Sequence, residues 1–148
     1  MPYICQSGNR RATCEHGSHD ARPEIEKGTV VSNIRAAENL HFIKIRLPEI
    51  SEQLIPGNFV SFLPPAESGA FLRRPFSVAG NRDHSLDFVI KNIGKGTAAI
   101  TALREGDAVE IMGPLGNSYP VFDKEKRIWF LGGGTGIASL FFLNSVHN

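Results

Sequence analysis

The sequence predicts a mainly β fold, a small antiparallel barrel followed by the start of an α/β domain. Short runs of β-branched or alternating apolar residues recur between residues 29 and 112, separated by proline and glycine. From 128 to 131 the chain is continuously apolar, as in a strand buried on both faces. Four glycines within 132–136 and a helical pattern follow, an order typical of the opening of a nucleotide-binding domain.

The barrel strands are predicted from local pattern and punctuation. The run from 42 to 46 alternates apolar with polar residues, as a half-buried strand does. Proline or glycine bounds the run that begins at Phe59 on both sides. In chain order, the predicted strands are 29–34, 40–47, 59–63, 76–79, 86–91 and 108–112. Close spacing and intervening turns favour an antiparallel barrel over a parallel sheet.

Glycines also precede a short helix, which we predict at 98–103 with Thr97 as its N-cap. Glycines before a helix allow backbone N–H groups to converge on an anion, and Lys95 adds positive potential there. The segment therefore qualifies as an anion-binding turn. A plain loop-to-helix junction is the alternative interpretation.

Composition limits the classes of partner. The chain has 148 residues with 41% hydrophobic and 21% charged residues, which is typical of a globular protein. Its net charge of +1 provides no long-range field toward nucleic acid or a membrane surface. No apolar run reaches membrane-spanning length, and two cysteines give no disulfide framework. We expect a cytoplasmic protein without nucleic-acid or membrane partners.

Residues 1–24 are predicted to form a loose extension, because they are polar and show neither helical nor strand periodicity. They contain four side chains of the kinds that bind zinc, namely Cys5, Cys14, His16 and His19. Their spacing, C-x8-C-x-H-x2-H, fits none of the usual zinc patterns. We therefore predict no metal site, and a tail with two incidental thiols.

The RRPFS stretch at 73–77 combines residue types that packing alone would not select. An arginine can grip a phosphate bidentately, proline fixes φ and removes a donor, and serine offers a hydroxyl group. Together they suit a strand edge that faces an anionic, planar ligand. The alternative is an exposed Arg-Pro turn that enters a strand.

Five motifs, in this order, resemble the ferredoxin-NADP reductase superfamily, and within it the electron-transfer subunits of dihydroorotate dehydrogenase. They are PGNFV at 56–60, RRPFS at 73–77, GKGT at 94–97, GPLGN at 113–117 and GGGTGIA at 132–138. The resemblance covers roughly residues 28–143. It implies an antiparallel Greek-key FAD-binding barrel over residues 25–122. Residues 126–148 would begin an incomplete NAD(P)-binding α/β domain.

The resemblance also implies a reaction and a binding site. In this superfamily electrons pass from NAD(P)H through FAD to a redox partner. The arginine of the RP motif would hold a flavin phosphate, and the serine would bond near the reactive edge of the flavin ring. The GKGT motif would bind the pyrophosphate, and the later glycines would face the nicotinamide dinucleotide. The implied cofactor-binding residues are Arg74, Pro75, Phe76, Ser77, Val89, Ile90, Lys91, Gly96, Thr97, Gly132, Gly133, Gly134, Thr135 and Gly136; none is assigned a catalytic role.

The sequence departs from the family at several points. Asn58 stands where glutamine is frequent, and Ser139 replaces a proline that usually follows Gly-Ile-Ala. No cysteine follows Cys14, so the four thiolates of an iron–sulfur cluster are not available and no cluster is expected. With one βα unit, NAD(P)H oxidation by this chain alone is expected to be impaired or absent.

These features leave two functions open. The first is an FAD-binding module whose partner is a catalytic redox subunit such as dihydroorotate dehydrogenase. The second is a cofactor-free barrel that acts as a protein-interaction module. The apolar segments 128–131 and 140–143 would form its docking surface, since they need cover.

Overall fold

Six antiparallel strands close into a barrel. The computed structural model describes residues 22–120 and 127–147. The strands are β1 (Glu24–Ala37), β2 (Leu40–Arg46), β3 (Phe59–Leu63), β4 (Arg74–Arg82), β5 (Ser85–Lys91) and β6 (Ala108–Leu115). Around the ring their order is β1-β2-β5-β4-β3-β6. Because β5 rather than β3 follows β2, the chain takes a Greek-key path, and the predicted mainly β antiparallel barrel is confirmed.

Within residues 22–120 and 127–147, three short helices accompany the barrel: α1 (Pro48–Gln53), α2 (Lys95–Thr101) and α3 (Ala138–His147). Single 3₁₀ turns occur at Ala66–Ser68 and Gly134–Ile137. The helix α3 packs against β4, with Phe142 buried at the contact. No helix within the described ranges is long and apolar enough to span a lipid bilayer.

The barrel core follows from strand alternation. In β5, Leu86, Phe88 and Ile90 are fully buried while the residues between them are partly exposed. Phe62 of β3 is also fully buried. Its ring meets those of Phe76 and Phe88 edge-on, with centroids 5.1 and 4.9 Å apart. These T-shaped contacts join three strands at the centre of the core.

The turn between β4 and β5 contains two residues, Asp83 and His84. Their φ angles are 51° and 57°, and Arg82 pairs with Ser85 across them. Positive φ at both central residues is what a type I′ turn requires, and this turn matches the twist of the flanking strands. The strand pair predicted at 76–79 and 86–91 is confirmed, and both strands extend further toward the turn than predicted.

Strand β1 begins at Glu24, earlier than the predicted 29. Its first half pairs with β6 and its second half with β2, and irregular pairing between Val30 and Ser32 marks the bend. A strand whose two halves pair with different neighbours must be long. The local residue pattern of the sequence does not show this requirement. Of the extension predicted at 1–24, residues 1–21, which include both cysteines and both candidate histidine ligands, lie outside the described residues.

The helix α1 was not predicted, because its first residue is Pro48, and proline usually interrupts regular structure. Proline fits the first turn of a helix, where its missing N–H costs nothing. The Glu26 carboxylate of β1 accepts the backbone N–H groups of Ile50 at 2.9 Å and Glu49 at 3.3 Å. A carboxylate from a distant strand therefore caps this helix.

Helix α2 begins at Lys95, so the prediction of Thr97 as N-cap is wrong. Thr97 is the third residue of the helix and is buried. Its Oγ1 accepts the backbone N–H groups of Ile93 at 2.9 Å and Gly94 at 3.1 Å. The hydroxyl still closes the entry to the helix, from one turn further along the chain.

The strand predicted at 128–131 is not formed. Residues 127–133 have no regular secondary structure. Trp129 is 86% and Leu131 is 89% exposed, which contradicts burial on both faces. Each barrel strand already has two neighbours, so the ring offers no open edge with which this segment could pair. The helix expected after it is present as α3.

The edge-on contacts of Phe62 predict how truncation of this side chain changes the free energy of unfolding. Phe62→Ala should lower the free energy of unfolding by about 3–5 kcal/mol, because it removes a buried ring and leaves a cavity. Urea denaturation measures this change. Phe71→Ala is the matched control, since Phe71 is 83% exposed and its loss should change stability by less than about 0.5 kcal/mol. Equal losses in the two variants would contradict the packing described.

Candidate functional site

A cavity of about 340 Å³ opens beside β4 and β5. This volume is near the lower end of the range of about 300–1,000 Å³ typical of ligand pockets. Strands β4 and β5, helix α2, the loop before α2 and the 3₁₀ turn before α3 all contribute to its walls. The lining residues are Arg74, Pro75, Phe76, Val89, Lys91, Ile93, Thr97 and Thr135.

The barrel determines which side chains reach the cavity. In β5 the inward positions fill the core, so Val89 and Lys91 between and after them face outward. In β4, Phe76 is half-buried and its ring packs on Phe62. The site therefore combines a rigid aromatic wall with side chains whose direction follows from the pleat.

The two adjacent arginines of β4 and its approach have different environments. Arg73 forms an ion pair with Glu110 of β6 and donates a hydrogen bond of 3.2 Å to the Ser61 carbonyl oxygen. Arg74 lines the cavity and donates to the backbone carbonyls of Leu72 at 3.1 Å and Arg73 at 3.3 Å. Within the described part of the chain, no ion pair includes Arg74. Its charge is thus available to an anionic ligand.

Gly96 lies directly against the Arg74 guanidinium. A Cβ atom at this position would lie 2.9 Å from Arg74 Nε and 3.3 Å from its Cζ. The missing side chain lets the guanidinium rest on the first turn of α2. This contact places the cation beside Thr97, so that charge and helix face the same cavity.

Apolar side chains form the rest of the wall. Pro75, Val89 and Ile93 present carbon surface, and Ile93 is 79% exposed. Lys91 supplies a second cation at the edge. A planar apolar group and an anionic group in one ligand would both find matching surface here.

The structure brings many of the predicted residues to the cavity but not all of them. Arg74, Pro75, Phe76, Val89, Lys91, Thr97 and Thr135 line it. Ile90 is fully buried in the core, so it can face a ligand only through its backbone. Ser77 is exposed on β4 but does not line the cavity, and Gly132, Gly133, Gly134 and Gly136 are exposed around Thr135.

Sequence reasoning missed Ile93. An apolar residue in the polar loop between β5 and the GKGT motif has no core to fill, and this was the available signal. In the structure, Ile93 is exposed and forms part of the cavity wall, which accounts for an apolar residue in this loop.

Two of the five motifs fasten the barrel rather than line the cavity. Asn58 is buried; its Oδ1 accepts the Ile55 N–H at 3.1 Å and its Nδ2 donates to the Gly116 carbonyl at 3.2 Å. The Tyr119 N–H also donates to the Pro56 carbonyl at 2.9 Å. The PGNFV and GPLGN loops are therefore tied together, and Asn58, where glutamine is frequent, forms the tie.

Ser139 extends this arrangement to α3. Its hydroxyl lies 2.8 Å from the hydroxyl of Tyr119. Ser139, where α3 departs from the family pattern, therefore links the helix to Tyr119, which lies two residues after the GPLGN motif. This link and Phe142 hold α3 on the barrel.

Comparison with protein families gives one match that covers most of the barrel. Residues 27–119 match the model of the oxidoreductase FAD-binding domain. The matched range contains β1 from its fourth residue onward, all of β2 to β6, and every cavity residue except Thr135.

Curated relatives carry the name dihydroorotate dehydrogenase B (NAD(+)), electron transfer subunit. The protein from Fusobacterium nucleatum subsp. nucleatum is 30% identical over 129 residues, covering 84% of this chain and 50% of the relative. That of Caldanaerobacter subterraneus subsp. tengcongensis is 32% identical over 117 residues, covering 79% of this chain and 45% of the relative. The chain spans about half the length of the curated relatives it matches.

Solved structures share the fold. The NADH-dependent reduced ferredoxin-NADP oxidoreductase superposes with a TM-score of 0.70 at 29% identity, over 76% of this chain and 41% of that one. Ferredoxin-NADP⁺ reductase from Plasmodium falciparum gives a TM-score of 0.67 at 19% identity, over 82% of this chain and 52% of that one. The second likeness concerns the fold alone.

The different environments of the two arginines predict different effects on stability. Arg73→Ala should lower the free energy of unfolding by about 1 kcal/mol, because solvent screens its ion pair with the half-exposed Glu110 only in part. Arg74→Ala should change it by less than about 0.5 kcal/mol. Urea denaturation of both variants tests this, and a larger loss for Arg74→Ala would show that its main role is structural.

Proposed function

Because the chain belongs to the oxidoreductase FAD-binding domain family, we propose that FAD binds in the cavity beside Arg74 and passes electrons from NAD(P)H to a redox partner. One observation carries the assignment to this cavity. The Arg74 guanidinium, without an ion pair among the described residues, faces the same space as the apolar surfaces of Val89 and Ile93.

The donor set of the cavity fits the chemistry of FAD. The cofactor combines a planar, largely apolar ring system with a diphosphate. Arg74 and Lys91 would hold the diphosphate charge, and Gly96 would allow close approach of the backbone. Pro75 and Val89 would bound the ring.

Bound FAD supplies the redox chemistry, as cofactors do in such proteins. The chain's own residues bind and orient it. The ring of Phe76, which packs edge-on against the buried Phe62, would form one wall for the ligand. Ser77, exposed on β4, would form a hydrogen bond near the edge of the flavin ring through its hydroxyl group. Thr135 and the surrounding glycines would meet the nicotinamide dinucleotide from the opposite side.

The electron donor, the redox partner and the cellular location complete the proposed function. The relatives are named electron transfer subunits of an NAD(+)-type dihydroorotate dehydrogenase, which supports NAD(P)H as donor and a catalytic dehydrogenase subunit as partner. We propose no iron–sulfur cluster within these 148 residues, because they contain only two cysteines. We propose a cytoplasmic location.

A protein-interaction module is the second candidate. The exposure of Trp129 and Leu131, 86% and 89%, favours it, because large apolar side chains in contact with water commonly mark a docking surface. Gel filtration after addition of FAD distinguishes the FAD-binding function from the protein-interaction function. A yellow chain supports the first function, and a flavin-free complex with another protein supports the second.

Removal of the cavity cation should weaken flavin binding. We expect the purified chain to take up FAD on reconstitution and Arg74→Ala to raise its Kd at least tenfold, the loss of about 1.4 kcal/mol of a charge-assisted contact. Quenching of FAD fluorescence measures the Kd. Arg73→Ala is the control, since its side chain is engaged with Glu110. A folded wild-type chain that binds no FAD would refute the proposal.

Substitution at Gly96 should separate binding from stability. In Gly96→Ala the new Cβ displaces the Arg74 guanidinium, so the Kd for FAD should rise by about tenfold. Stability should stay equal or increase, because the displaced group is a flexible side-chain end and alanine favours a helix.

Gly94→Ala is the matched control for this substitution. A Cβ at Gly94 meets no atom within 4 Å, and the residue lies two positions earlier in the same motif. Its FAD affinity should equal that of the wild type. Equal affinities of both alanine variants would contradict the role of the Gly96–Arg74 contact.

A further inference from the structure

A side-chain amide on β1 holds the far end of α2. Asn33 Nδ2 donates hydrogen bonds to the backbone carbonyls of Thr101 at 2.9 Å and Leu103 at 2.6 Å. These carbonyls lie at the last residue of α2 and just beyond it, where helical carbonyls lack partners within the helix. The bonds cross 68 and 70 residues of sequence. They therefore attach α2 to the barrel wall.

His41 of β2 fixes the orientation of this amide. Its Nδ1 lies 2.9 Å from Asn33 Oδ1. The amide oxygen can only accept, so Nδ1 carries the proton in this pair and donates it. With the oxygen so engaged, the NH₂ group must point to the carbonyls at the end of α2. Both side chains are half-buried.

The near end of α2 meets the cavity. Gly96 lies against the Arg74 guanidinium, and Thr97 lines the cavity wall. Inside the helix, Thr101 Oγ1 donates to the Thr97 carbonyl at 2.9 Å. Ile100 is fully buried under the helix and limits tilting. A helix of seven residues has little stability of its own, so its placement depends on these attachments.

We propose that Asn33, oriented by His41, is a positioning residue for the FAD diphosphate. It acts through α2: the bonds at the end of the helix set its distance from β1, and this distance keeps Gly96 in contact with Arg74. The inference rests on the proposed binding of FAD in this cavity. It predicts an effect specific to the phosphate-bearing part of the ligand, because neither Asn33 nor His41 lines the cavity.

The test compares Asn33→Ala with Asn81→Ala in the full chain. Asn81 is a matched control: its Nδ2 donates to the Ser51 carbonyl at 2.7 Å and ties the short helix α1, rather than α2, to a strand. The Kd of each variant is measured for FAD and for riboflavin, which has the ring but no phosphate. The ratio of the two constants does not depend on the fraction of folded protein.

We expect Asn33→Ala to raise the Kd for FAD about tenfold and to leave that for riboflavin unchanged. Asn81→Ala should change neither of these two Kd values, even if its thermal stability falls by as much as that of Asn33→Ala. The ³¹P NMR signals of the bound diphosphate should shift in Asn33→Ala and not in Asn81→Ala. His41→Ala, which leaves Asn33 in place but frees its amide, should raise the Kd for FAD by a smaller factor.

Three results would overturn the inference. Wild-type ratios and ³¹P shifts in folded Asn33→Ala and His41→Ala would refute the positioning role while FAD binding by the wild type upholds the proposed function. Equal losses for FAD and riboflavin would mean that Asn33 is structural only. A wild-type chain that binds no FAD would refute the proposed function, and the positioning role with it.

Discussion

Closure of the barrel is the constraint on which the rest of the structure depends. In a closed ring every strand has two hydrogen-bonded neighbours, so register and pleat leave each side chain only one face to occupy. In β5, Phe88 and Ile90 point into the barrel core. Val89 lies between them and must therefore point away from the core, where it forms part of the cavity wall. The candidate site is thus a consequence of how the core is filled.

Asparagine side chains attach the non-barrel segments to this ring. Asn33 holds α2, Asn81 holds α1, and Asn58 joins two loops at one end of the barrel. Each amide bonds a backbone carbonyl far away in sequence, and helices of six or seven residues need such support. The amide-to-carbonyl bond of Asn58 joins two loops. In our proposal, the same type of bond at Asn33 positions the ligand-binding helix.

Much of the architecture was predictable from local pattern. Alternation gave the barrel strands within a few residues, and the residue types of the RRPFS stretch gave the anion-binding arginine as a hypothesis. The local pattern did not predict features that depend on contact with another strand or helix. The length of β1 depends on two neighbours, Glu26 caps α1 from a distant strand, and the apolar run at 128–131 has no strand edge to pair with.

By itself the sequence determined the fold class and the residue types of the site, because strand periodicity, proline and glycine act within a few residues of the chain. Only the tertiary structure decided which arginine remains without an ion pair in the described part of the chain. Arg73 and Arg74 are adjacent and chemically identical, but β6 brings Glu110 to the first, and α2 brings Gly96 to the second. Such pairings depend on strands and helices that meet across the barrel, and no spacing along the chain encodes them.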